Sequence, residues 1–251
     1  MTLTVAQWHR RFVQQASWTR QLREYLYKQL CLSDGIRILD VGCGTGALSN
    51  DFQQTTINWL FGLDLDFDRL SYAKSYDRRT CYLAADAVFI PFKSDSFDLV
   101  FCHYLLLWLK DPASVLQEML RVTRPGGHIL ALAEPDYSSR IDEPALFADL
   151  GKAQVESLIE QGANPSIGRA LPALFHSAGC SDVQFGCSGF QRQSGILPED
   201  WELEWQILEQ DLQGLFSSQN LSDLKQKDRQ AWLDGMRVLW VPTFYAIGKK
   251  G

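Results

Sequence analysis

Hydrophobic and polar positions alternate between two periods along the chain. Apolar runs typical of buried strands cover residues 36–41, 57–63, 81–84, 97–102, 128–133, 183–191 and 243–247. Apolar residues at helical spacing cover residues 47–54, 67–76, 112–122, 143–161, 167–178, 201–216 and 221–233. Because strands and helices alternate from residue 36 to 133, the pattern predicts an α/β fold, with a parallel sheet and helices on both of its faces.

Additional helical material stands near both ends of the chain. Residues 5–30 contain few helix breakers and carry apolar side chains at helical spacing, which predicts one long or two short amphipathic helices. Further helical segments between residues 198 and 233 precede the last predicted strand. We expect the first segment to cover a site, and we hypothesise that both segments act as a lid.

Composition narrows the function classes. The 251 residues are 46% apolar and 22% charged, which is enough for one large core. The net charge of -6 argues against a broad nucleic-acid-binding surface, although a local basic patch stays compatible with it, and we expect no nucleic-acid partner. The six cysteines form no C-x-x-C pair and have no histidine at a metal-finger spacing, so we predict reduced thiols and no metal site.

The sequence shows no targeting pattern. Residues 1–12 lack the arrangement of a signal peptide, and nowhere do 18 apolar residues run together. A cytoplasmic protein without membrane insertion is the expectation.

The strongest local signal directly follows the first predicted strand. In the segment Asp40-Val41-Gly42-Cys43-Gly44-Thr45-Gly46, glycines occupy three of the five positions from 42 to 46. Glycines permit left-handed turns and let backbone N–H groups approach a ligand closely at the start of a helix. Asp64 ends the second predicted strand, where an acid accepts hydrogen bonds from ribose hydroxyls, although aspartate is also a preferred helix cap.

A dinucleotide site is the main competitor. Its G-x-G-x-x-G fingerprint would place the third glycine at position 47, which holds Ala47. Alanine is sometimes tolerated at that position, so an NAD(P)-dependent oxidoreductase stays open.

An ordered series of segments between residues 36 and 133 resembles the class I S-adenosylmethionine-dependent methyltransferases. The resemblance is to the small-molecule (type 11) group that includes the ubiquinone/menaquinone-biosynthesis enzymes. It rests on residues 39–46, on Gly62-Leu63-Asp64, on Ala85-Asp86-Ala87 followed by Ile90-Pro91-Phe92, on residues 96–100, and on residues 118–122 with Arg124-Pro125-Gly126-Gly127. Each segment alone is a weak signal, whereas their order and spacing are specific.

The resemblance implies a Rossmann-like, doubly wound, seven-stranded sheet in the order 3-2-1-4-5-7-6, with the last strand antiparallel and a helical insertion before it. It further implies one domain, in which residues 1–32 form a helical cover, 33–137 bind the cofactor, and 138–251 supply substrate-side helices and the last two strands. Cofactor-binding roles follow residue by residue. Asp40 and the backbone at Gly42, Cys43 and Gly44 would face the methionine portion, Asp64 the ribose, and Leu65, Asp86 and Ala87 the adenine.

Candidate substrate and catalytic residues lie near the same edge. His103 follows the strand 97–102, where we expect main-chain contact with the cofactor and, as a hypothesis, general-base catalysis by a neutral imidazole. Trp18 and Trp108 are our first candidates for a substrate pocket, while Glu134 and Tyr137 either orient substrate or form a turn. The remaining candidates, Arg20 and Arg23, either meet the cofactor's carboxylate or stay solvated, and the second interpretation is favoured.

The predicted function is methyl transfer from S-adenosylmethionine to a small-molecule acceptor by direct in-line displacement, because the sulfonium already activates the methyl group. The product would be S-adenosylhomocysteine. Two alternatives stay open, an NAD(P)-dependent oxidoreductase and a non-catalytic binding protein that retains the cofactor fold. The sequence names neither the acceptor nor the oligomeric state.

Overall fold

The computed structural model of the protein describes residues 3–30, 35–49, 51, 59–188 and 193–251. Three predicted segments lie partly outside the described residues. These are the helix 47–54, the start of the strand 57–63 and the end of the strand 183–191.

Seven strands form the main sheet: β1 (Arg37–Val41), β2 (Trp59–Asp64), β3 (Cys81–Ala84), β4 (Phe97–Cys102), β5 (Thr123–Pro135), β7 (Ser181–Ser188) and β9 (Thr243–Lys249). Their order is β3-β2-β1-β4-β5-β9-β7. Strands β1 to β5 pair in parallel, whereas β9 runs antiparallel to both β5 and β7. Counted within this sheet, the order is 3-2-1-4-5-7-6, so the predicted topology and the antiparallel last strand are confirmed.

The helices of the described residues are α1 (Val5–Trp18), α2 (Arg20–Gln29), α3 (Phe67–Tyr76), α4 (Pro112–Val122), α5 (Ala148–Glu160), α6 (Ile167–Ala178), α7 (Trp201–Asp211) and α8 (Ser218–Leu233). The N-terminal segment forms two helices that meet at Thr19. A capping box between Thr4 and Gln7 starts α1. The predicted helix 201–216 ends early, at Asp211, and Gly214 follows with a φ of +90° in the left-handed region that terminates helices.

Apolar side chains pack on both faces of the main sheet. On β1, Ile38 and Leu39 point to opposite faces and both are fully buried. One face packs against α4 and α6, and the other packs against α2. Burial on both faces explains why the parallel strands read as continuous apolar runs, and it confirms the doubly wound fold.

A second, two-stranded sheet was not predicted. It pairs β6 (Ile141–Glu143) with β8 (Val238–Trp240) in antiparallel orientation. Each strand has three residues, too few to show a period, and the partners are almost a hundred residues apart. Helices α7 and α8 lie between β7 and β9 in the chain, as the predicted helical insertion requires.

Within the described part of the chain, none of the helices combines the length and the apolar character needed to cross a membrane.

Candidate active site

The carboxyl ends of four neighbouring strands meet at one edge of the main sheet. In the register of the strands, Val41 pairs with both Leu63 and Cys102, and Asp64 pairs with Ala84. The strand order reverses between β1 and β4, which opens a crevice at this edge. Open α/β sheets bind their ligands at such a switch point.

The glycine loop bends over this edge in left-handed conformations. Gly42, Gly44 and Gly46 have φ angles of +74°, +53° and +73°. The carbonyl oxygen of Leu63 accepts hydrogen bonds from Gly42 N (2.7 Å) and Cys43 N, and Asp64 Oδ2 accepts one from Gly44 N (2.7 Å). Asp64 therefore fixes the loop from the neighbouring strand.

Helix α1 covers the glycine loop. A Cβ atom on Gly44 would lie 3.1 Å from the ring of Phe12, and His9 Nδ1 lies 2.9 Å from Thr45 Oγ1. The side of α1 that carries His9 and Phe12 thus faces the glycine loop.

Acidic side chains dominate the interior of the crevice. Asp40 is only 6% exposed, and its pKa is held well above the usual value by burial and by the neighbouring Asp64 and Asp51, with Arg23 opposing. Arg23 donates from Nε to Asp51 Oδ2 (2.6 Å). Three carboxylates around one guanidinium fit a ligand that brings positive charge to Asp40.

The two arginines of α2 differ in their surroundings. Arg20 is exposed, in line with the favoured interpretation, whereas Arg23 is only 3% exposed, so the prediction of a solvated Arg23 is wrong. The reason is the ion pair with Asp51 together with a bond from Nη1 to Thr19 Oγ1 (2.6 Å).

The remaining predicted cofactor residues divide into an exposed and a buried set. Leu65 is 74% exposed beyond the end of β2, and Asp86 is exposed while its Oδ1 accepts from Val88 N (3.1 Å) in a turn. Ala87 and the thiol of Cys43 pack into the core, so Cys43 can offer only its backbone to a ligand.

His103 directly follows β4 at the same edge. Its Nε2 atom lies 3.0 Å from Thr19 Oγ1, which accepts from Arg23 Nη1. Burial, and secondarily the charge of Arg23, hold the pKa of His103 well below its usual value, so the imidazole is neutral at neutral pH. The single hydrogen of the Thr19 hydroxyl can point to Nε2 or to the carbonyl oxygens of Gln15 and Ala16 (both 3.4 Å), so the direction of the Thr19–His103 bond depends on the imidazole tautomer.

A cavity extends from this edge toward the helical insertion. Thr19 and Tyr104 line its near end, and α7 and α8 line its far end. Its aromatic walls are Trp18, Trp201, Trp205, Trp232, Trp240, Tyr104 and Tyr137. The structure therefore places the candidates Trp18 and Tyr137 in the wall, whereas Trp108 is 47% exposed in a short turn outside it.

Glu134 lies outside the cavity and is fully buried. Its carboxylate accepts hydrogen bonds from the backbone N–H groups of Leu105 and Leu106 (both 3.0 Å) and of Leu107 (3.2 Å). Burial raises the pKa of Glu134 to about 7, and these N–H groups oppose the shift. Of the two alternatives left open for Glu134, the turn is therefore the one that the contacts support, and the Leu105 side chain of this turn packs against Gly42.

Sequence reasoning missed three buried arginines in the cavity wall, Arg11, Arg140 and Arg237. Arg11, Gln14 and Trp18 stand at positions i, i+3 and i+7, so they form one polar and aromatic stripe on α1 that helical periodicity could have revealed. Arg140 and Arg237 lie beside β6 and β8, which have no such signal.

Comparison with known proteins relates this part of the chain to a protein family. Residues 39–131 match the family model described as a methyltransferase domain. A malonyl-[acyl-carrier protein] O-methyltransferase of Erwinia pyrifoliae is 34% identical over 121 residues, which cover 48% of this chain and 46% of that protein. Methyltransferase GfsG of Streptomyces halstedii is 30% identical over 167 residues, which cover 63% and 58%. The chain thus spans about half the length of the curated relatives that it matches.

Solved structures share the fold over most of the chain. A methyltransferase from Bacillus halodurans, described as putative, superposes with a TM-score of 0.61 at 18% identity, covering 91% of this chain and 98% of that one. Phosphoethanolamine N-methyltransferase 2 of Haemonchus contortus, solved with S-adenosylhomocysteine, gives a TM-score of 0.60 at 19% identity over 95% and 57%. Residues 39–131, which carry the glycine loop and the carboxylates of the acidic crevice, thus form a methyltransferase domain of the class I type, whose cofactor is S-adenosylmethionine.

Proposed function

We propose that the protein transfers the methyl group of S-adenosylmethionine to a small-molecule acceptor by direct in-line displacement. The whole chain would act as one unit, in which residues 1–32 cover the cofactor, 33–137 bind it, and 138–251 hold the acceptor. The observation that carries the proposal is the junction at Thr19 and Tyr104, where the acidic crevice meets the aromatic cavity.

The bound cofactor supplies a methyl group that its positive sulfonium activates for displacement. The chain's own residues bind and orient. Asp40 offers a buried carboxylate to the positive methionine portion, Asp64 offers a carboxylate to the ribose, and Leu65 offers an apolar surface to the adenine. Helix α1 lies over the loop and excludes water, while the cavity aligns the acceptor with the methyl group.

His103 is the candidate base of the proposal. A neutral imidazole can accept the proton of a hydroxyl nucleophile at neutral pH. For this role Nε2 must be unprotonated and free of the Thr19 hydroxyl, whose hydrogen can point instead to the carbonyl oxygens of Gln15 and Ala16.

The charge of the crevice favours this function over a dinucleotide-dependent oxidoreductase. A pyrophosphate would bring negative charge beside Asp40 and Asp64. Burial and the negative charge of Asp64 already raise the pKa of Asp40, so a further negative charge there is unfavourable. The sulfonium and ammonium groups of S-adenosylmethionine have the opposite sign. A non-catalytic binding protein would bind the same cofactor but show no turnover.

Calorimetry on the full chain tests the proposal. We expect S-adenosylmethionine and S-adenosylhomocysteine to bind at micromolar concentration and NAD to bind far more weakly. Asp64→Ala should abolish binding of the sulfur compounds, because it removes both the ribose acceptor and the bond to Gly44 N. Asp68→Ala, an exposed acid on α3, is the matched control and should bind as the wild type does. Preference for NAD, or binding without methyl transfer to any acceptor in a screen, would contradict the proposal.

A further inference from the structure

The charged side chains in the wall of the aromatic cavity limit the charge that a methyl acceptor can carry. Three guanidinium groups lie in its wall, and each is only slightly exposed. An anionic ligand would need a guanidinium group that has no carboxylate partner.

Two of these arginines share carboxylates next to the second sheet. Arg140 binds Asp142 through two parallel bonds, Nε to Oδ2 at 2.6 Å and Nη2 to Oδ1 at 3.1 Å. Arg237 donates from Nη2 to Asp142 Oδ1 (2.7 Å) and from Nε to Asp228 Oδ1 (2.6 Å). The indole N–H groups of Trp201 and Trp205 complete the contacts of Asp228, at 2.6 and 2.9 Å from Oδ2.

The third arginine crosses the cavity wall between two helices. Arg11 on α1 forms an ion pair with Glu204 on α7, and Gln14 Nε2 donates to the same carboxylate oxygen at 2.7 Å. The guanidinium of Arg11 also stacks 4.9 Å from the centre of the Trp18 ring. Each of these three guanidinium groups is thus paired with a carboxylate, and the two further acids near Arg11, Asp200 and Asp211, accept hydrogen bonds from Trp18 and Gln154.

A wall whose guanidinium groups and carboxylates already have partners penalises a charged ligand. A ligand carboxylate, phosphate or ammonium would enter a poorly solvated space unpaired, or would have to break one of these ion pairs. The indole and phenol faces, by contrast, reward the burial of a flat apolar surface. Resting on the function proposed above, we propose that the methyl acceptor is a neutral, planar, ring-bearing molecule, unlike a free carboxylate or an amine.

Three probes with one ring system but different charge test the class of acceptor. These are 1-naphthol, 1-naphthoate and 1-naphthylmethylammonium, titrated into the full chain with saturating S-adenosylhomocysteine and followed by calorimetry. We expect 1-naphthol to bind at least about tenfold more tightly than either charged probe. Equal or tighter binding of a charged probe, or no saturable binding of 1-naphthol, would overturn the proposal.

Glu204→Gln tests the cause of the selectivity. This nearly isosteric change leaves the Arg11 guanidinium without its carboxylate, so we expect 1-naphthoate to gain about tenfold in affinity while 1-naphthol changes little. Glu202→Gln is the matched control, because Glu202 lies on the same helix but pairs with Lys225 at the surface (2.7 Å). If 1-naphthoate binds to Glu204→Gln no more tightly than to the wild type and to Glu202→Gln, the pairing of Arg11 with Glu204 does not set the selectivity. The proposal then fails.

A second pair of variants locates the probe in the cavity. Trp240→Ala removes one aromatic wall and should weaken 1-naphthol binding about tenfold. Trp108→Phe, on an exposed turn outside the cavity, should bind as the wild type does. Unchanged 1-naphthol binding in a folded Trp240→Ala protein would place the probe elsewhere and overturn the proposal.

S-adenosylhomocysteine binding, titrated separately on every sample, separates two kinds of failure. If it binds but the probes show no preference for the neutral ring, the acceptor class is wrong and the methyltransferase function stands. If it does not bind to the wild type, the function itself fails.

Discussion

A hydrogen-bonded series of side chains, Asp51, Arg23, Thr19 and His103, connects the acidic crevice to the end of β4. Each member depends on its neighbour for its charge or its orientation. Arg23 balances the acids on one side, and on the other side it helps to keep the His103 imidazole neutral. The acidic crevice and the end of β4 are therefore coupled electrostatically at single residues.

The lowered pKa of His103 predicts a pH-dependent stability. Below about pH 6.5 the unfolded chain binds a proton at this residue that the folded protein does not, so the free energy of unfolding decreases as the pH falls. His103→Gln removes this contribution, and from pH 6.5 to pH 5 the variant should lose less stability than the wild type, by up to about 1.4 kcal/mol per pH unit. Urea denaturation across this range measures the difference. His176→Gln, on an exposed part of α6, controls for the exchange of side chains, and parallel pH profiles for wild type and His103→Gln would contradict the prediction.

At the residue scale, the sequence indicates only those side chains whose role follows from their position on a strand. Asp40, Asp64 and His103 end strands of a parallel sheet, so the edge that they occupy was predictable. For Glu134 the sequence left a substrate contact and a turn equally open, because the choice depends on three backbone N–H groups whose positions the pattern did not resolve. Trp108 and Trp240 look alike in sequence, and only the packing of distant helices separates the exposed ring from the cavity wall.

Helix α1 is the element on which both halves of the site depend. One side of it contacts the glycine loop through Phe12 and His9, and another contacts α7 through Arg11 and Gln14. The two sides follow from the helical period of the sequence, which predicted a cover. The contact with α7 could not be predicted, because it joins residues about 190 positions apart.

The N-terminal cap of α1 gives a test of this dependence. Thr4→Ala removes the half of the capping box in which Thr4 Oγ1 accepts from Gln7 N (3.3 Å), and should destabilise the helix by about 0.5–2 kcal/mol. We expect faster amide hydrogen exchange over residues 5–18 and several-fold weaker binding of S-adenosylhomocysteine. Ser217→Ala removes the corresponding cap of α8, where Ser217 accepts from Asn220 N (3.2 Å), and should loosen α8 without weakening that binding. Faster exchange in α1 with unchanged affinity would show that α1 does not hold the cofactor loop.

Across the whole molecule, two helical additions, α1–α2 near the start of the chain and α7–α8 before the last strand, meet each other over the main sheet. The topology of this sheet was predicted from the sequence. Strand order followed from the alternation of periods and from the family resemblance, since parallel crossovers permit few topologies. The second sheet and the cavity depend on long-range pairs, such as Asp142 with Arg237, that have no local signature. The position of each strand in the main sheet was therefore predictable. The side-chain contacts that the two helical additions make were not.

We predict that both helical additions, α1–α2 and α7–α8, close over the bound cofactor. Trp18 Nε1 donates to Asp200 Oδ2 (2.8 Å) and so connects α1 to the start of α7, whose Trp201 and Trp205 pack with Trp232 of α8. S-adenosylhomocysteine should therefore slow tryptic cleavage both at the exposed Arg10 of α1 and at the exposed Lys227 of α8.

Trp18→Phe keeps an aromatic ring but loses the indole N–H, so protection by S-adenosylhomocysteine should persist at Arg10 and decrease at Lys227. Trp108→Phe should retain the wild-type pattern, because its ring lies outside the cavity. Mass spectrometry of the fragments over time measures both sites in one digest. Protection confined to Arg10 in the wild type would mean that the cofactor orders only the N-terminal cover. The helical insertion would then be a fixed wall of the acceptor cavity, open or closed independently of the cofactor.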